Sequence, residues 1–286
     1  MKKLKPYIFL MRLDKPIGIF LLVWPTLWAL WLAGAGKPPF QIVLIFILGV
    51  ILMRSAGCVV NDIVDQRVDG YVARTHQRPL VIGSVSTQAA MILFLSLMLC
   101  AFSLVLLLNK LTLCLAFVGA ILAIIYPFLK RFTHLPQVGL GFAFSWGVPM
   151  AFAAVTNSVP VFSWVIFFAA VIWSVIYDTL YAMVDREDDR KIGIKSTAIL
   201  FGKSDKWITG LLQMIFLVLL SFIGFFYQLN KLYYLGIISA AILFIYQQAL
   251  IRDRYPDNCF KAFLNNHWVG CVIYIGIVLG YVNCCR

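Results

Sequence analysis

Charge is scarce in this chain: Asp, Glu, Lys and Arg together make up 13% of 286 residues. An ordinary soluble domain carries about twice that share. Histidine is rarer still, with three copies, and the seven cysteines form no C-x-x-C pair and no His/Cys spacing suited to zinc. Cys58, Cys100, Cys114, Cys271, Cys284 and Cys285 lie in or beside apolar runs, and Cys259 lies in a basic stretch. They read as small buried hydrophobes. The same shortage of polar sequence excludes a disordered chain, a coiled coil and a small disulfide scaffold.

Apolar sequence takes the place of charge. The chain is 62% hydrophobic and 15% aromatic, and its mean hydropathy is +0.92. Roughly nine segments of ~20 apolar residues fit into that content, the length a helix needs to cross a bilayer. Apolar runs fall at 17–34, 40–60, 89–108, 111–129, 138–156, 161–177, 208–227, 232–250 and 268–285. The expected fold is all-α and polytopic, with about nine transmembrane helices. Lys2, Lys3, Lys5, Arg12 and Lys15 ahead of the first run imitate a signal peptide, and Ala33-Gly34-Ala35 imitates its cleavage site. Ile17 to Gly34 is longer than a usual signal core, and polytopic sequence follows, so the run reads as a retained helix. Pro25, Pro149 and Gly224 inside the runs suit membrane helices better than soluble ones.

The net charge of +12 reports orientation more than a partner. With the N-terminus in the cytoplasm, twenty of the twenty-four basic residues fall on that side. Only Lys37, Lys110, Lys231 and Arg286 fall outside. This is the positive-inside pattern for an odd number of spans. The basics are spread over five connections, which argues against nucleic acid as a partner. All twelve acids lie on the cytoplasmic side as well, from Asp14 to Asp257. A chemical site at that face explains them.

The acids concentrate in two clusters. The first reads N-D-I-V-D-Q-R-V-D-G and holds Asn61, Asp62, Asp65 and Asp69. On a continuing helix, Asp65 lies about 60° and Asp69 about 20° from Asp62, so one face carries three carboxylates. Such a face repels itself and calls for a cation. Oxygen ligands suit Mg²⁺ or Ca²⁺, and Mg²⁺ usually takes one or two carboxylates plus water and phosphate. The second cluster reads Y-A-M-V-D-R-E-D-D-R-K-I-G. Its Asp185 and Asp189 are i, i+4 neighbours and the expected ligands. Asp188 is a possible third, and Glu187 should face away. The two clusters end the second and sixth runs, four helices apart, as if a four-helix unit were used twice around a central cavity.

Cations flank both clusters: Arg67, Arg74 and Arg78 after the first, Arg190, Lys191 and Lys195 after the second. Carboxylates, Mg²⁺ and basic groups together match a diphosphate. Arg54 shares a face with Asn61 and Asp65 and lies about 16 Å deeper than Asp65. An ionisable group at that depth is a candidate site residue. Tyr126 and Lys130 are i, i+4 at the end of the fourth run, beside Arg131. Tyr177, Asp178 and Tyr181 lead into the second cluster. A cation transporter would need ionisable groups near the bilayer midplane, and only Arg54 lies deep.

The segments G-C-V-V-N-D-I-V-D-Q-R-V-D-G, Y-P-F-L-K and Y-D-T-L-Y-A-M-V-D-R-E-D-D-R-K-I-G-I-K-S-T resemble the intramembrane aromatic prenyltransferases. R-L-D-K-P-I-G, W-P-T-L-W-A-L-W and C-F-K-A-F-L-N-N point to the branch of that family acting on 4-hydroxybenzoate. The resemblance spans nearly the whole chain and implies one transmembrane prenyltransferase domain over 1–286, with a cavity opening on the cytoplasmic side. It implies Mg²⁺ as cofactor, with a polyprenyl diphosphate and 4-hydroxybenzoate as substrates in the bacterial inner membrane, in contact with its lipid. On matching positions it makes Asp62, Asp65, Asp69, Asp185 and Asp189 the metal ligands. Asp65, Asp185, Lys130 and Tyr126 become the catalytic group. Asn61 joins the first metal–diphosphate motif and Arg131 becomes the partner of the acceptor carboxylate, while Arg67, flanking the first cluster, and Arg54, deep on its face, are candidate contacts to diphosphate or acceptor. Homogentisate or dihydroxynaphthoate are the alternative acceptors, with Arg131 the expected discriminator.

Overall fold

A computed structural model describes residues 4–70, 75–191 and 193–282, with the side chains of residues 67 and 68 outside that description. Among the described residues every regular element is helical. In chain order these are α1 (Lys5–Leu10), α2 (Ile17–Ala33), α3 (Phe40–Asp69), α4 (Thr87–Val105), α5 (Lys110–Phe132) and α6 (Pro136–Ser145). Then follow α7 (Gly147–Thr156), α8 (Ser163–Lys191), α9 (Thr197–Phe201), α10 (Asp205–Phe226), α11 (Lys231–Leu250) and α12 (Pro256–Gly280). Eight stretches of these are long and apolar enough to cross a bilayer, and the 17-residue α2 is a ninth apolar helix. The chain is a multi-pass membrane protein.

The runs expected from hydropathy match these elements with three instructive differences. The fifth run, 138–156, is broken at Trp146. Pro149 has no N–H to offer and its ring clashes with the carbonyl four residues back, at Ser145, which is where α6 ends. The sixth run is the apolar part of a longer helix that carries its polar end to Lys191. The last run begins at Pro256, twelve residues before the expected 268, because the polar start of α12 still buries Cys259, Ala262, Phe263 and Asn266 at helical spacing.

Helix α8 is the centre of the bundle. It packs on α6, α10 and α12, and Ile166, Phe167, Ala170, Trp173, Ile176, Tyr177 and Leu180 are buried along it. Indole N–H groups tie neighbours to this core: Trp173 donates to Asn266 Oδ1 at 3.1 Å and Trp28 to the Gly270 carbonyl at 3.1 Å. The Trp28, Trp173 and Phe216 rings pack together where α2, α8 and α10 meet. Helix α2, the signal-peptide imitator, is thus a packed member of the bundle, set against α7 and α12.

Amide side chains cross between α10, α11 and α12. Gln213 donates to Gln247 Oε1 at 3.2 Å, Gln248 to Gln213 Oε1 at 2.9 Å, and Gln247 to Asn265 Oδ1 at 2.9 Å. Within hydrocarbon such groups need one another, since water is not there to satisfy them. On the other side of the bundle, α4 and α5 barely touch. Their facing apolar residues, among them Leu95, Leu99, Phe102 and Phe117, remain exposed.

Candidate active site

The helix of α3 runs unbroken to Asp69, so Asp62, Asp65 and Asp69 share a face, and all three are buried. Charges removed from water must be paired, and each carboxylate has found a cation. Arg12 donates from Nη2 to both oxygens of Asp62, at 2.9 and 3.0 Å. Arg78 Nη1 lies 3.0 Å from Asp62 Oδ1 and 2.5 Å from Asp69 Oδ2. Lys130, in the last turn of α5, donates to Asp65. Burial pushes the Asp69 carboxyl above the usual carboxylate range, against the opposing pull of Arg78.

These groups line a polar cavity of about 690 Å³. Asp185 and Asp189 stand on its α8 wall together with Asp178, Tyr177 and Tyr181, and Asn61 is on the α3 side. The two acidic clusters therefore end at one cavity. Glu187 and Asp188 are not in the lining. Glu187 is 74% exposed and 3.9 Å from Arg190, and Asp188 pairs with Lys191 at 3.3 Å.

An apolar chamber of about 470 Å³ adjoins it, lined by Phe46, Val50, Met53, Met98, Phe102, Phe117 and Met150 among others. Three residues line both spaces: Arg54, Tyr126 and Phe144. The Arg54 guanidinium lies 5.6 Å from the centre of the Phe144 ring, and Tyr126 meets the same ring edge-on. Arg54 Nε is buried and has no hydrogen-bond partner among the described residues. Gly18 makes the room for it, since a Cβ there would come within 2.2 Å of Arg54 Nε.

Arg131 sits elsewhere. It is 46% exposed, donates to the Val64 carbonyl at 2.9 Å, lies 4.0 Å from Asp65 and lines neither cavity. Its guanidinium rests on the backbone of α3, one residue before Asp65. Arg67 and Arg74 lie outside the described side chains.

Sequence reasoning missed several partners. Arg12 was counted as a topology signal, yet it clamps a carboxylate fifty positions away. Asp205 has no signal of its own in the sequence, yet it is fully buried and accepts from Arg186, from Arg254 at 2.8 Å and from the Lys206 backbone at 2.6 Å. Those bonds pin the end of α8, beside Asp185, to the start of α10 and the turn before α12.

No three His, Cys, Asp or Glu side chains among the described residues converge into a metal cage. The donor set still fits a hard divalent ion that shares carboxylates with phosphate and water. Seven carboxylates face six cationic side chains around the polar cavity. A diphosphate added to that balance tips it strongly negative and needs divalent cations beside it.

An acidic pocket at the end of a helical bundle, joined at Arg54 to an apolar chamber, has room for a ligand with an anionic head and an apolar body. The profile of the UbiA prenyltransferase family matches residues 22–270. A Coxiella burnetii protein named 4-hydroxybenzoate octaprenyltransferase is 58% identical over 277 residues, covering 97% of this chain and 96% of the relative. One of the same name from Vibrio parahaemolyticus is 55% identical, covering 98% and 99%. The apo structure of a UbiA homolog from Aeropyrum pernix K1 has a TM-score of 0.80 at 25% identity, covering 91% of this chain and 97% of that one. A UbiA homolog from Archaeoglobus fulgidus, solved bound to GPP and Mg²⁺, has a TM-score of 0.71 at 17% identity, covering 97% and 98%, and shares the fold. The chain belongs to the UbiA prenyltransferase family and is a prenyltransferase.

Proposed function

We propose that this chain transfers a polyprenyl group from polyprenyl diphosphate to 4-hydroxybenzoate, ortho to the hydroxyl, at the cytoplasmic face of the bacterial inner membrane. The C1–O bond of the allylic donor breaks and diphosphate leaves with the electron pair. The ring carbon bonds to C1, and the proton it sheds is taken up by the departing diphosphate. Products are 3-polyprenyl-4-hydroxybenzoate and diphosphate, as in ubiquinone biosynthesis.

The observation that carries this reading is the junction of the two cavities at Arg54, Tyr126 and Phe144. A diphosphate head belongs among Asp62, Asp65, Asp69, Asp185 and Asp189, and its tail in the apolar chamber. C1 then lies at the junction, so the acceptor ring must lie there too. Asp65 and Asp185, with the other three aspartates, are the groups to hold Mg²⁺, which when bound neutralises charge on the leaving diphosphate. Lys130, Arg12 and Arg78 now hold carboxylates and are free to turn to phosphate oxygens as those carboxylates take metal. Asn61 lies beside them. Tyr126 and Phe144 present ring faces and edges to a developing allylic cation and exclude water from it.

For the acceptor carboxylate, Arg54 is the better-placed cation. Arg12, Arg78 and Lys130 are committed to Asp62, Asp65 and Asp69, while Arg54 stands at the junction and its Nε is buried with no hydrogen-bond partner among the described residues.

Membranes containing the chain should prenylate 4-hydroxybenzoate in the presence of Mg²⁺ and stop with EDTA. Asp65→Asn and Asp185→Asn should each lower turnover by orders of magnitude while the protein still migrates as a folded species. Full activity of both variants removes the metal assignment. Transfer only to homogentisate or dihydroxynaphthoate moves the enzyme to another branch of the family.

A further inference from the structure

The apolar chamber has a wall with a missing side chain. Gly49 lies on α3 between Phe46, Val50 and Met53, all of which line the chamber, so position 49 is in the middle of the stripe that faces it. A Cβ built on Gly49 meets no atom within 4 Å. The chamber glycines at 119 and 147 differ, because a Cβ on either would run into Trp146 or Thr26 at 2.8 and 2.7 Å. Their lack of a side chain serves helix packing, whereas that of Gly49 leaves open volume.

Gly49 is five residues from Arg54, at the junction that holds C1, about 7.5 Å along the helix axis at 1.5 Å per residue. A tail that starts at C1 reaches that depth in its second isoprene unit, so a dimethylallyl group stops short of Gly49 and every longer tail must pass it. We propose that Gly49 is a specificity-determining residue, whose missing side chain lets long prenyl tails run the length of the chamber. The inference rests on the transfer reaction proposed above and adds to it the position at which tail length is sensed.

The test compares donors of increasing length with one acceptor: dimethylallyl, geranyl, farnesyl and a long polyprenyl diphosphate. In Gly49→Phe, kcat/KM for the dimethylallyl donor should stay within about twofold of the parent, with a partial loss for geranyl. The long donor should fall about tenfold or more, the penalty of forcing bulk into a filled space. Gly49→Leu should give a smaller change of the same kind. Leu48→Phe adds a ring at the neighbouring exposed position, which is 41% exposed and outside the lining, and should leave the ratio of long to short donors unchanged. A Gly49→Phe protein that melts like the parent yet keeps that ratio, or loses all donors equally, overturns the inference. A parent chain that transfers from no donor overturns the functional reading itself, which separates the two failures.

Discussion

Replacing Arg54 by Met removes one guanidinium at the seam of two cavities and keeps an unbranched side chain of similar reach. A charge-assisted hydrogen bond to a carboxylate contributes about 1.5–3 kcal/mol, more where both charges are buried. At 1.4 kcal/mol per decade, a loss of about 2–3 kcal/mol lowers kcat/KM for 4-hydroxybenzoate about 30- to 150-fold. The KM of the polyprenyl donor should change by less than about threefold, since that donor binds through other groups. The discriminating assay sets 4-hydroxybenzoate against its neutral amide analogue. The parent should prefer the carboxylate strongly, and Arg54→Met should treat the two nearly alike. Folding should suffer little, because the contact to the Phe144 ring, 5.6 Å away, is worth about 0.5–2 kcal/mol and Met still packs there. A variant that retains the preference for the carboxylate, or that loses donor and acceptor affinity in equal measure, refutes the assignment. Arg131→Ala is the companion measurement. Its exposed, carbonyl-bonded guanidinium predicts an effect on acceptor KM below about threefold.

Gly18→Ala should act on Arg54 from the opposite wall. The new methyl would lie 2.2 Å from Nε, so the guanidinium must swing aside, and acceptor KM should rise with donor KM unchanged; kinetics identical to the parent would show that the guanidinium position is immaterial. Asp205→Asn leaves Arg186 and Arg254 without their shared carboxylate. Breaking a buried pair by deleting one partner costs about 3 kcal/mol, a drop of about 5–10 °C in apparent melting temperature. An unchanged melt would mean that the cluster does not hold α8, α10 and the turn before α12 together.

The α-helical, multi-pass character was legible because hydrocarbon-length apolar runs leave few alternatives. The acidic clusters stood out because carboxylates are rare in this composition, and helical spacing placed Asp62, Asp65 and Asp69 on one face before any coordinates. Averaged hydropathy lost the start of α12, since Asp257, Asn258 and Lys261 dilute a stripe whose buried members are Cys259, Ala262, Phe263 and Asn266. The pairing of Arg12 with Asp62, fifty positions apart, has no local signature. Arg54 and Arg131 could not be ranked from sequence because depth along a helix does not reveal what a guanidinium touches. Only the wall of the cavity separates the one that faces the junction from the one bonded to Val64.

The amide ladder across α10, α11 and α12 bears on how the protein is made. As the chain emerges, Gln213 and Gln247 can satisfy each other once α11 follows α10, but the Gln247 amide waits for Asn265. Until the last segment enters the bilayer, the C-terminal third carries a polar group into oil without its final acceptor. The ladder thus closes only when α12 docks on α11, and the Gln247 amide makes the bond that ties the last of these helices to the other two.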